Sequence, residues 1–467
     1  MKISCFILRT NDDSMQETIK SLLENSLVDE IQIVENLQST DTLRLIAAET
    51  AGDYTLIYTK PTPLAMGQFA VERMLQVADD TRAGLLYTDY YQQQNGALKP
   101  LPLIDYQTGS LRDDFNFGSV LLYRTDALKE AVSEMNTNYQ FAALYDLRLR
   151  VSQRYEIFHL NEFLYTEIEE DARRSGEKQF DYVDPRNRVV QIEMEQACTE
   201  HLKAIGAYLE PNFKAINFSE NNFPVEASVI IPVYNRVRTI ADAIRSVLSQ
   251  QADFQFNIIV VDNHSTDGTT EIINQLSTEN QQIIHIVPTR KDLGIGGCWN
   301  EGILHPQCGK FAVQLDSDDV YASEKTLQKI VEAFYKQQCA MVIGSYTMTN
   351  FEMQTIAPGL IDHREWTPEN GRNNALRING LGAPRAFYTP LLRELKLPNT
   401  SYGEDYAMGL RISREYQIGR IYESLYLCRR WEENSDAALD IARLNAYNLY
   451  KDRLRTVEVL ARKNINQ

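Results

Sequence analysis

The chain has 467 residues, with 47 basic and 64 acidic side chains and a formal net charge of −17. This surplus of negative charge argues against a nucleic-acid surface and against a polybasic membrane face. No apolar run reaches the ~18 residues of a transmembrane helix, and six scattered cysteines without a CxxC pair are typical of a reducing cytoplasm.

The first half of the chain alternates short apolar runs with amphipathic segments. Residues 3–8, 30–34, 54–58 and 84–87 have the pattern of strands, and helix-like segments separate them. This alternation is typical of βαβ units around a mainly parallel sheet. We therefore predict an α/β domain over residues 1–183.

The remainder of the chain divides into three parts. Residues 184–226 contain one amphipathic helix followed by an Asn-rich linker with two prolines. Alternating strands and helices then resume over residues 227–436, which predicts a second α/β domain. Residues 437–467 form a C-terminal amphipathic helix, for which Asn434 or Ser435 offers an N-cap.

An acidic stretch, Phe311–Asp319, stands out in the second domain. Its apolar residues predict a buried strand, and three carboxylates follow at its end. If the extended geometry persists, the side chains of Asp316 and Asp318 share one side. Such a pair suits Mg²⁺ or Mn²⁺ completed by substrate phosphates, while the alternative is a strand end with an Asp helix cap.

Other polar loops follow the strands of the same domain. Pro232-Val-Tyr-Asn235 follows one strand, and Asp262 ends the next. The segment Gly294–Gly297 allows close approach of a backbone, and Asn300 follows it. Each loop alone is more typical of an ordinary turn, although open α/β sheets bind ligands at this edge.

Taken together, these motifs resemble an inverting glycosyltransferase of family 2. The resemblance covers residues 227–436 and rests on PVYN, VDNHSTDGT, GIGGCWNEG, LDSDD, GEDY and CRRWEENS, in that order. It implies the GT-A fold, a nucleotide-diphosphate sugar as donor, a divalent metal, and a hexosyltransferase type of activity in polysaccharide or glycoconjugate synthesis.

The resemblance also assigns roles to individual residues. Asp405, beside Glu404, is the general base that activates the acceptor hydroxyl, and Asp316 and Asp318 (the DXD motif) hold the metal. Residues matching the donor and nucleotide subsite are Pro232, Tyr234, Asn235, Asp262, Arg290, Gly294, Asn300, Asp316, Arg429, Arg430 and Trp431.

Two positions depart from the family pattern. The family often has Ala-Arg-Asn where this chain has Cys298-Trp-Asn300, so a basic contact is missing that Arg290 could supply. A histidine is common where Trp431 stands. Two other interpretations stay open: a catalytically weak binding or scaffolding protein of the same fold, and a sugar-phosphate nucleotidylyltransferase.

The partners follow from the same resemblance. We expect a nucleotide-diphosphate sugar as donor, with UDP favoured, and a glycan, lipid-linked or protein acceptor. No nucleic-acid partner is expected. The predicted location is cytoplasmic, and a peripheral position at the inner face of the membrane would serve a lipid-linked acceptor.

The first domain has the pattern of a shortened, degenerate copy of the second. Residues 149–165 align without gaps to residues 410–426, with eight of 17 pairs identical. The same offset places Ala143 and Leu144 where the second domain has Glu404 and Asp405. Farther upstream, Thr59 and Pro61 replace Asp316 and Asp318, and about 30 residues before them are absent.

Overall fold

The structure is a computed structural model that describes residues 1–94, 96–168, 187–219, 222–364, 366–431, 434 and 439–467. The described residues form two compact units. Unit 1 consists of the described residues within 1–168, 188–208 and 440–467. Unit 2 consists of Asn187 and the described residues within 209–439.

The sheet of unit 1 has eight strands in the order β2-β1-β3-β7-β5-β8-β4, with β6 paired to β5. The pairs β1–β2, β1–β3 and β5–β8 are parallel, and the others are antiparallel. Its strands are β1 (Ile3–Leu8), β2 (Val28–Val34), β3 (Tyr54–Tyr58), β4 (Leu64–Met66), β5 (Leu85–Gln94), β6 (Ala97–Leu101), β7 (Val120–Arg124) and β8 (Ile157–Ile168).

The sheet of unit 2 has nine strands in the order β11-β10-β9-β12-β16-β14-β17-β13, with β15 paired to β14. Parallel pairs join β9, β10, β11 and β12, and a further parallel pair joins β14 to β17. Its strands are β9 (Ala227–Val233), β10 (Phe256–Asp262), β11 (Ile283–Ile286), β12 (Phe311–Gln314), β13 (Val320–Tyr321), β14 (Met341–Thr349), β15 (Thr355–Ile361), β16 (Arg385–Tyr388) and β17 (Ile418–Arg429).

The two sheets repeat one topology, which confirms the tandem α/β arrangement. If β11 is set aside, each strand of the second sheet has a counterpart at the same place in the first, and every counterpart pair has the same direction. The extra strand β11 lies between β10 and β12 in the chain, where the first domain was predicted to be shorter. The first sheet is thus a truncated version of the second.

Helices connect the strands, as the alternating pattern predicted. They are α1 (Asp12–Leu23), α2 (Thr40–Glu49), α3 (Ala70–Thr81), α4 (Thr125–Ser133), α5 (Ala143–Val151), α6 (Arg188–Ala204), α7 (Ile240–Leu248), α8 (Thr269–Glu279), α9 (Ile295–Leu304), α10 (Thr326–Gln337), α11 (Gly371–Asn374), α12 (Thr389–Leu395), α13 (Glu404–Ser413) and α14 (Ile441–Asn466). Within the described residues, none of these helices is long and apolar enough to span a membrane.

The connecting helix and the C-terminal helix are present as α6 and α14, and both belong to unit 1. The N-cap of α14 is Asp440, whose carboxylate accepts a hydrogen bond of 2.7 Å from the backbone N–H of Arg443. The predicted caps were Asn434, which lies upstream of the helix, and Ser435, which is outside the described residues. A carboxylate at the N-terminus of a helix is favourable because it faces the helix dipole.

Candidate active site

The candidate site lies at the carboxyl ends of β9, β10 and β12, which are parallel neighbours and therefore end at one edge of the sheet. β12 ends at Gln314, so the extended geometry expected up to Asp318 does not persist. Residues 316–319 instead form a turn, closed by a hydrogen bond of 3.2 Å from the N–H of Asp319 to the carbonyl of Asp316. The turn brings three carboxylates together.

Asp316 and Asp319 are the more enclosed members of this acidic turn. The side-chain amide of Gln314 donates to Oδ1 of Asp316 at 2.8 Å, and the backbone N–H of Arg429 donates to Oδ1 of Asp319 at 2.7 Å. Burial raises the pKa of Asp316, although Arg385 opposes the rise. Burial and the charges of Asp318 and Asp316 raise the pKa of Asp319 well above its usual range.

Asp318 is held by the segment that follows β17. Its Oδ2 lies 3.4 Å from the indole Nε1 of Trp431 and 3.3 Å from the amide Nδ2 of Asn434. Nε of Arg236 lies 3.7 Å from the same oxygen. Trp431, which stands where the family often has histidine, therefore orients a carboxylate of the turn.

The two arginines of the CRRWEENS motif, Arg429 and Arg430, differ in environment. The Arg429 side chain is buried, donates from Nε to the carbonyl of Asp318, and donates from Nη1 to Oδ2 of Asp242 at 3.1 Å. Its Nη2 is buried without a hydrogen-bond partner among the described atoms. Arg430 is half-buried, and its backbone N–H donates to the carbonyl of Thr349. Arg429 is therefore built into the support of the acidic turn.

The loops after β9 and β10 hold each other in place. Asn235, with φ of 52°, accepts a hydrogen bond of 2.8 Å at its side-chain oxygen from the N–H of Thr266. Tyr234 beside it is exposed, with 56% of its surface accessible, and Pro232 is half-buried. An exposed aromatic ring at this edge is available to stack on a ligand.

Asp262 is fully buried at the end of β10. Its carboxylate accepts from the N–H of Ser265 at 2.9 Å and from the hydroxyl of Thr270 at 2.5 Å, and Nε2 of His285 lies 3.5 Å away. Burial alone would raise the pKa of Asp262, but these donors lower it well below its usual range. The carboxylate thus fixes the loop on which a nucleotide would rest.

The glycine segment packs against the protein's own backbone. A Cβ at Gly294 would lie 2.6 Å from the carbonyl carbon of Thr400, and a Cβ at Gly296 would lie 2.0 Å from the carbonyl oxygen of Pro398. The side-chain amide of Asn300 exchanges hydrogen bonds of 2.8 and 2.9 Å with the backbone of Leu397. The close approach expected for a nucleotide is thus made by residues 397–401, which lead directly into α13.

Arg290 contacts the loop after β10 through its backbone carbonyl, which lies 2.8 Å from Nε2 of His264, but its guanidinium contacts no site residue among those described. Its guanidinium makes a two-pronged ion pair with Asp292, at 2.9 and 2.5 Å, and both side chains are largely exposed. The missing basic contact is better matched by Arg236, which lies beside Asp318. The signal that could have identified Arg236 in the sequence is its place directly after the PVYN motif.

Glu404 and Asp405 begin α13 and differ in their surroundings. Glu404 is buried, its Oε2 has no hydrogen-bond partner among the described atoms, and burial together with Asp405 raises its pKa to about 8. The Asp405 side chain is 25% exposed, and its Oδ2 forms an ion pair of 2.8 Å with Nη1 of Arg385. Asp405 is therefore the more accessible member of the pair.

The described residues contain no cluster of three or more His, Cys, Asp or Glu side chains placed to hold a metal ion. Asp316 and Asp318 nevertheless fit a divalent cation, because Mg²⁺ and Mn²⁺ need only one or two carboxylates when substrate phosphates complete the shell. The raised pKa of Asp316 reflects burial and repulsion from Asp318. A bound cation would relieve that repulsion.

Unit 1 has other residues at the corresponding places. Thr59 and Pro61 follow β3, and Nζ of Lys60 pairs with Oε1 of the fully buried Glu167 on β8. Helix α5 begins at Ala143, the residue that aligns with Glu404 at the start of α13. The ammonium group of Lys60 thus lies in the segment that corresponds to the acidic turn of unit 2.

Comparison with known proteins gives the same assignment as the motifs. The profile of Glycosyl transferase family 2 matches residues 228–393. An uncharacterized glycosyltransferase from Haemophilus influenzae is 31% identical over 202 residues, which are 43% of this chain and 76% of that protein. The Escherichia coli UDP-Glc:alpha-D-GlcNAc-diphosphoundecaprenol beta-1,3-glucosyltransferase WfgD is 26% identical over 198 residues, covering 42% of this chain and 72% of that one.

Two further relatives match over shorter stretches of this chain. The chain spans 49% of the Bacillus subtilis protein TuaG and 35% of the Nostoc protein alr2836. These two matches extend over 127 and 120 residues. Among solved structures, S. aureus TarS 1-349 in complex with UDP-GlcNAc has a TM-score of 0.39 and 22% identity, covering 51% of this chain and 72% of that one.

Proposed function

The chain belongs to Glycosyl transferase family 2, and from this membership we propose that it transfers a sugar from a nucleotide-diphosphate donor to an acceptor hydroxyl with inversion. One observation carries the proposal. Asp316 of the acidic turn and the carboxyl pair Glu404–Asp405 lie around one cation, Arg385, at the carboxyl edge of the sheet. A donor-side site and a base thus adjoin.

On the donor side, the nucleotide would rest on the loops after β9 and β10. The exposed ring of Tyr234 can stack on the base. Asn235 and Asp262 shape the pocket through the hydrogen bonds that join the two loops. Arg430 and Arg236 would face the diphosphate, while Arg429 supports the acidic turn through its bond to the carbonyl of Asp318.

A divalent cation, Mn²⁺ or Mg²⁺, would be held by Asp316 and Asp318 and would neutralise charge that grows on the departing diphosphate. The chain's own contribution is to orient these carboxylates. Gln314 fixes Asp316, and Trp431 with Asn434 fixes Asp318. Pre-oriented ligands need little rearrangement when the donor arrives.

On the acceptor side, Asp405 takes the proton from the attacking hydroxyl. Its Oδ1 accepts from the N–H of Tyr406 at 2.7 Å and its Oδ2 forms an ion pair with Arg385, so the carboxylate is held in one orientation. Inversion requires a single displacement in which the hydroxyl attacks the face of the sugar opposite the diphosphate. A positioned carboxylate is the group that such a displacement needs.

We propose a hexose carried by UDP as the donor substrate, in polysaccharide or glycoconjugate synthesis. The similarity to WfgD, whose name specifies UDP-Glc and a diphosphoundecaprenol acceptor, supports UDP and a lipid-linked acceptor. A lipid-linked acceptor would be reached at a membrane surface.

Unit 1, in this proposal, binds no donor. Lys60 already neutralises the buried Glu167, and Thr59, Pro61 and Ala143 supply no carboxylate for a metal or for a base. The repeated sheet topology would be retained for architecture or for contacts with the acceptor.

The test is hydrolysis of a panel of nucleotide sugars by the full chain with Mn²⁺, because water replaces an acceptor that is not yet identified. Release of the nucleoside diphosphate from at least one donor is expected, together with a thermal shift for the same donor. Absence of release and of binding across the panel, with a folded protein, would refute the proposed function.

A further inference from the structure

Two residues outside the family motifs, Gln314 and Arg385, lie between the candidate base and the acidic turn. We propose that Arg385 is a positioning residue for Asp405, and that Gln314 fixes Arg385 relative to Asp316. The acceptor side and the donor side of the site are then joined by two hydrogen bonds of Gln314 and one ion pair of Arg385. This inference rests on the proposed glycosyltransferase function and assigns roles within that site.

Gln314 joins the two sides through both ends of its side-chain amide. It is 2% exposed and is the last residue of β12. Its Nε2 donates to Oδ1 of Asp316 at 2.8 Å, and its Oε1 accepts from the backbone N–H of Arg385 at 3.1 Å. Only one orientation of the amide satisfies both partners. A flipped amide would place its oxygen against the carboxylate of Asp316 and its NH₂ group against the N–H of Arg385.

Arg385 extends the connection from Gln314 to Asp405. It is the first residue of β16, so its backbone is fixed in the sheet. Its Nη1 donates a hydrogen bond of 2.8 Å to the carbonyl of Gly382 and forms an ion pair, also 2.8 Å long, with Oδ2 of Asp405. The guanidinium is therefore anchored on the protein backbone, and it can define where the Asp405 carboxylate lies.

Electrostatics support the same role. Burial alone would lower the pKa of Arg385, but Asp405, Asp316 and Glu404 raise it, so the guanidinium stays charged. Three carboxyl groups share this cation. Its removal would leave Asp405 beside Asp316 and Glu404 without the charge that holds it in place, and Asp405 would turn toward solvent.

The consequence for the reaction is a specific one. Donor binding depends on the loops after β9 and β10 and on the acidic turn, to which the guanidinium of Arg385 contributes only its charge near Asp316. Proton removal depends on the orientation of Asp405, and a misplacement of about 1 Å can cost roughly 10²-fold in rate. Loss of Arg385 should therefore affect kcat far more than donor affinity.

The experiment compares four variants of the full chain: Arg385→Met, Arg385→Lys, Gln314→Leu and the control Arg393→Met. Arg393 is a half-buried arginine whose guanidinium donates to the carbonyls of Ile303 and His305, so the control removes a similar side chain from ordinary packing. The readouts are kcat and KM for Mn²⁺-dependent hydrolysis of the preferred nucleotide sugar, and calorimetric affinity for UDP with Mn²⁺.

We expect Arg385→Met to lower kcat by about 10²-fold with UDP affinity changed less than about threefold. Arg385→Lys should recover a large part of kcat, Gln314→Leu should lower kcat by about tenfold, and Arg393→Met should behave like wild type. Unchanged kcat in Arg385→Met would overturn the inference, and so would a parallel loss of kcat and UDP binding. A wild type without hydrolysis or UDP binding would instead refute the proposed function itself.

Discussion

The indole N–H of Trp431 faces the carboxylate of Asp318, with 3.4 Å between Nε1 and Oδ2. Trp431 is 8% exposed, and its ring lies 5.3 Å from that of Phe351, with the guanidinium of Arg238 4.9 Å from the ring centre. Trp431 is thus anchored by packing and directs its indole N–H to a carboxylate of the acidic turn. If Asp318 holds the proposed metal, Trp431 acts on that site through Asp318.

We predict that Trp431→Phe weakens the response to metal. The substitution keeps an aromatic ring in the packing but removes the N–H that orients Asp318. Loss of such a supporting donor commonly costs about 10–100-fold in metal affinity, so the Mn²⁺ concentration for half-maximal hydrolysis should rise by that order. Trp299→Phe, the same change in α9, is the control, and an equal shift there would exclude a role for the indole N–H.

Asp318→Ala should abolish hydrolysis and transfer while the protein stays folded. The side chain is 15% exposed at the end of a turn, so little packing is lost with it. Removal of metal with EDTA should have the same effect on wild type. Activity in metal titrations and the thermal midpoint are the measurements, with Asp253→Ala on the exposed surface as control. Full turnover of Asp318→Ala would contradict the metal assignment.

Asp405→Asn should retain donor binding and lose catalysis. The amide still fits between Arg385 and the N–H of Tyr406, but it cannot accept a proton. The expected fall in turnover is at least about 10²-fold, the usual scale for loss of a general base. Calorimetry with UDP and Mn²⁺ checks binding. Lost binding combined with normal turnover at saturation would mean that Asp405 serves the donor.

The buried Glu404 should make the stability of the protein depend on pH. Its pKa is raised from 4.5 to about 8, so between these values the folded state keeps a proton that the unfolded chain releases. The free energy of unfolding must therefore fall as pH rises through this window and level off above about pH 8. Glu404→Gln removes the titration.

Urea unfolding of wild type and Glu404→Gln at about pH 5 and about pH 8 measures this effect. Wild type should lose stability relative to the variant as the pH rises. Glu332→Gln, on an exposed face of α10, is the control for the substitution itself. A stability difference that is constant over the window would show that Glu404 ionises normally in the folded protein.

The full chain should bind about one UDP in the presence of Mn²⁺. Unit 1 lacks the carboxylates of the acidic turn, and Lys60 neutralises Glu167 internally. Isothermal titration gives the stoichiometry, and Asp318→Ala should abolish metal-dependent binding altogether. Metal-dependent UDP binding that survives in Asp318→Ala would reveal a second donor site, and Lys60→Ala would then test whether unit 1 contains it.

The sequence by itself determined the class of fold, the family and the repeat. Strand–helix alternation predicted two α/β domains, and the aligned segments 149–165 and 410–426 lie on α5–β8 and α13–β17, which are counterparts in the two sheets. These predictions succeed because periodicity and loop chemistry are local properties of the chain. The expected turn chemistry at Asn235 is likewise seen in its positive φ.

Only the tertiary structure decided which side chains face the site. Gln314 and Arg385 are 71 residues apart in the chain, and no sequence pattern marks their hydrogen bond. Arg429, Asn300 and Gly294 match the family motifs but are engaged with the protein's own backbone. The reason is physical: burial, ion pairing and hydrogen bonding depend on strands brought together from distant parts of the chain, which determine whether a charged side chain supports the fold or meets a ligand.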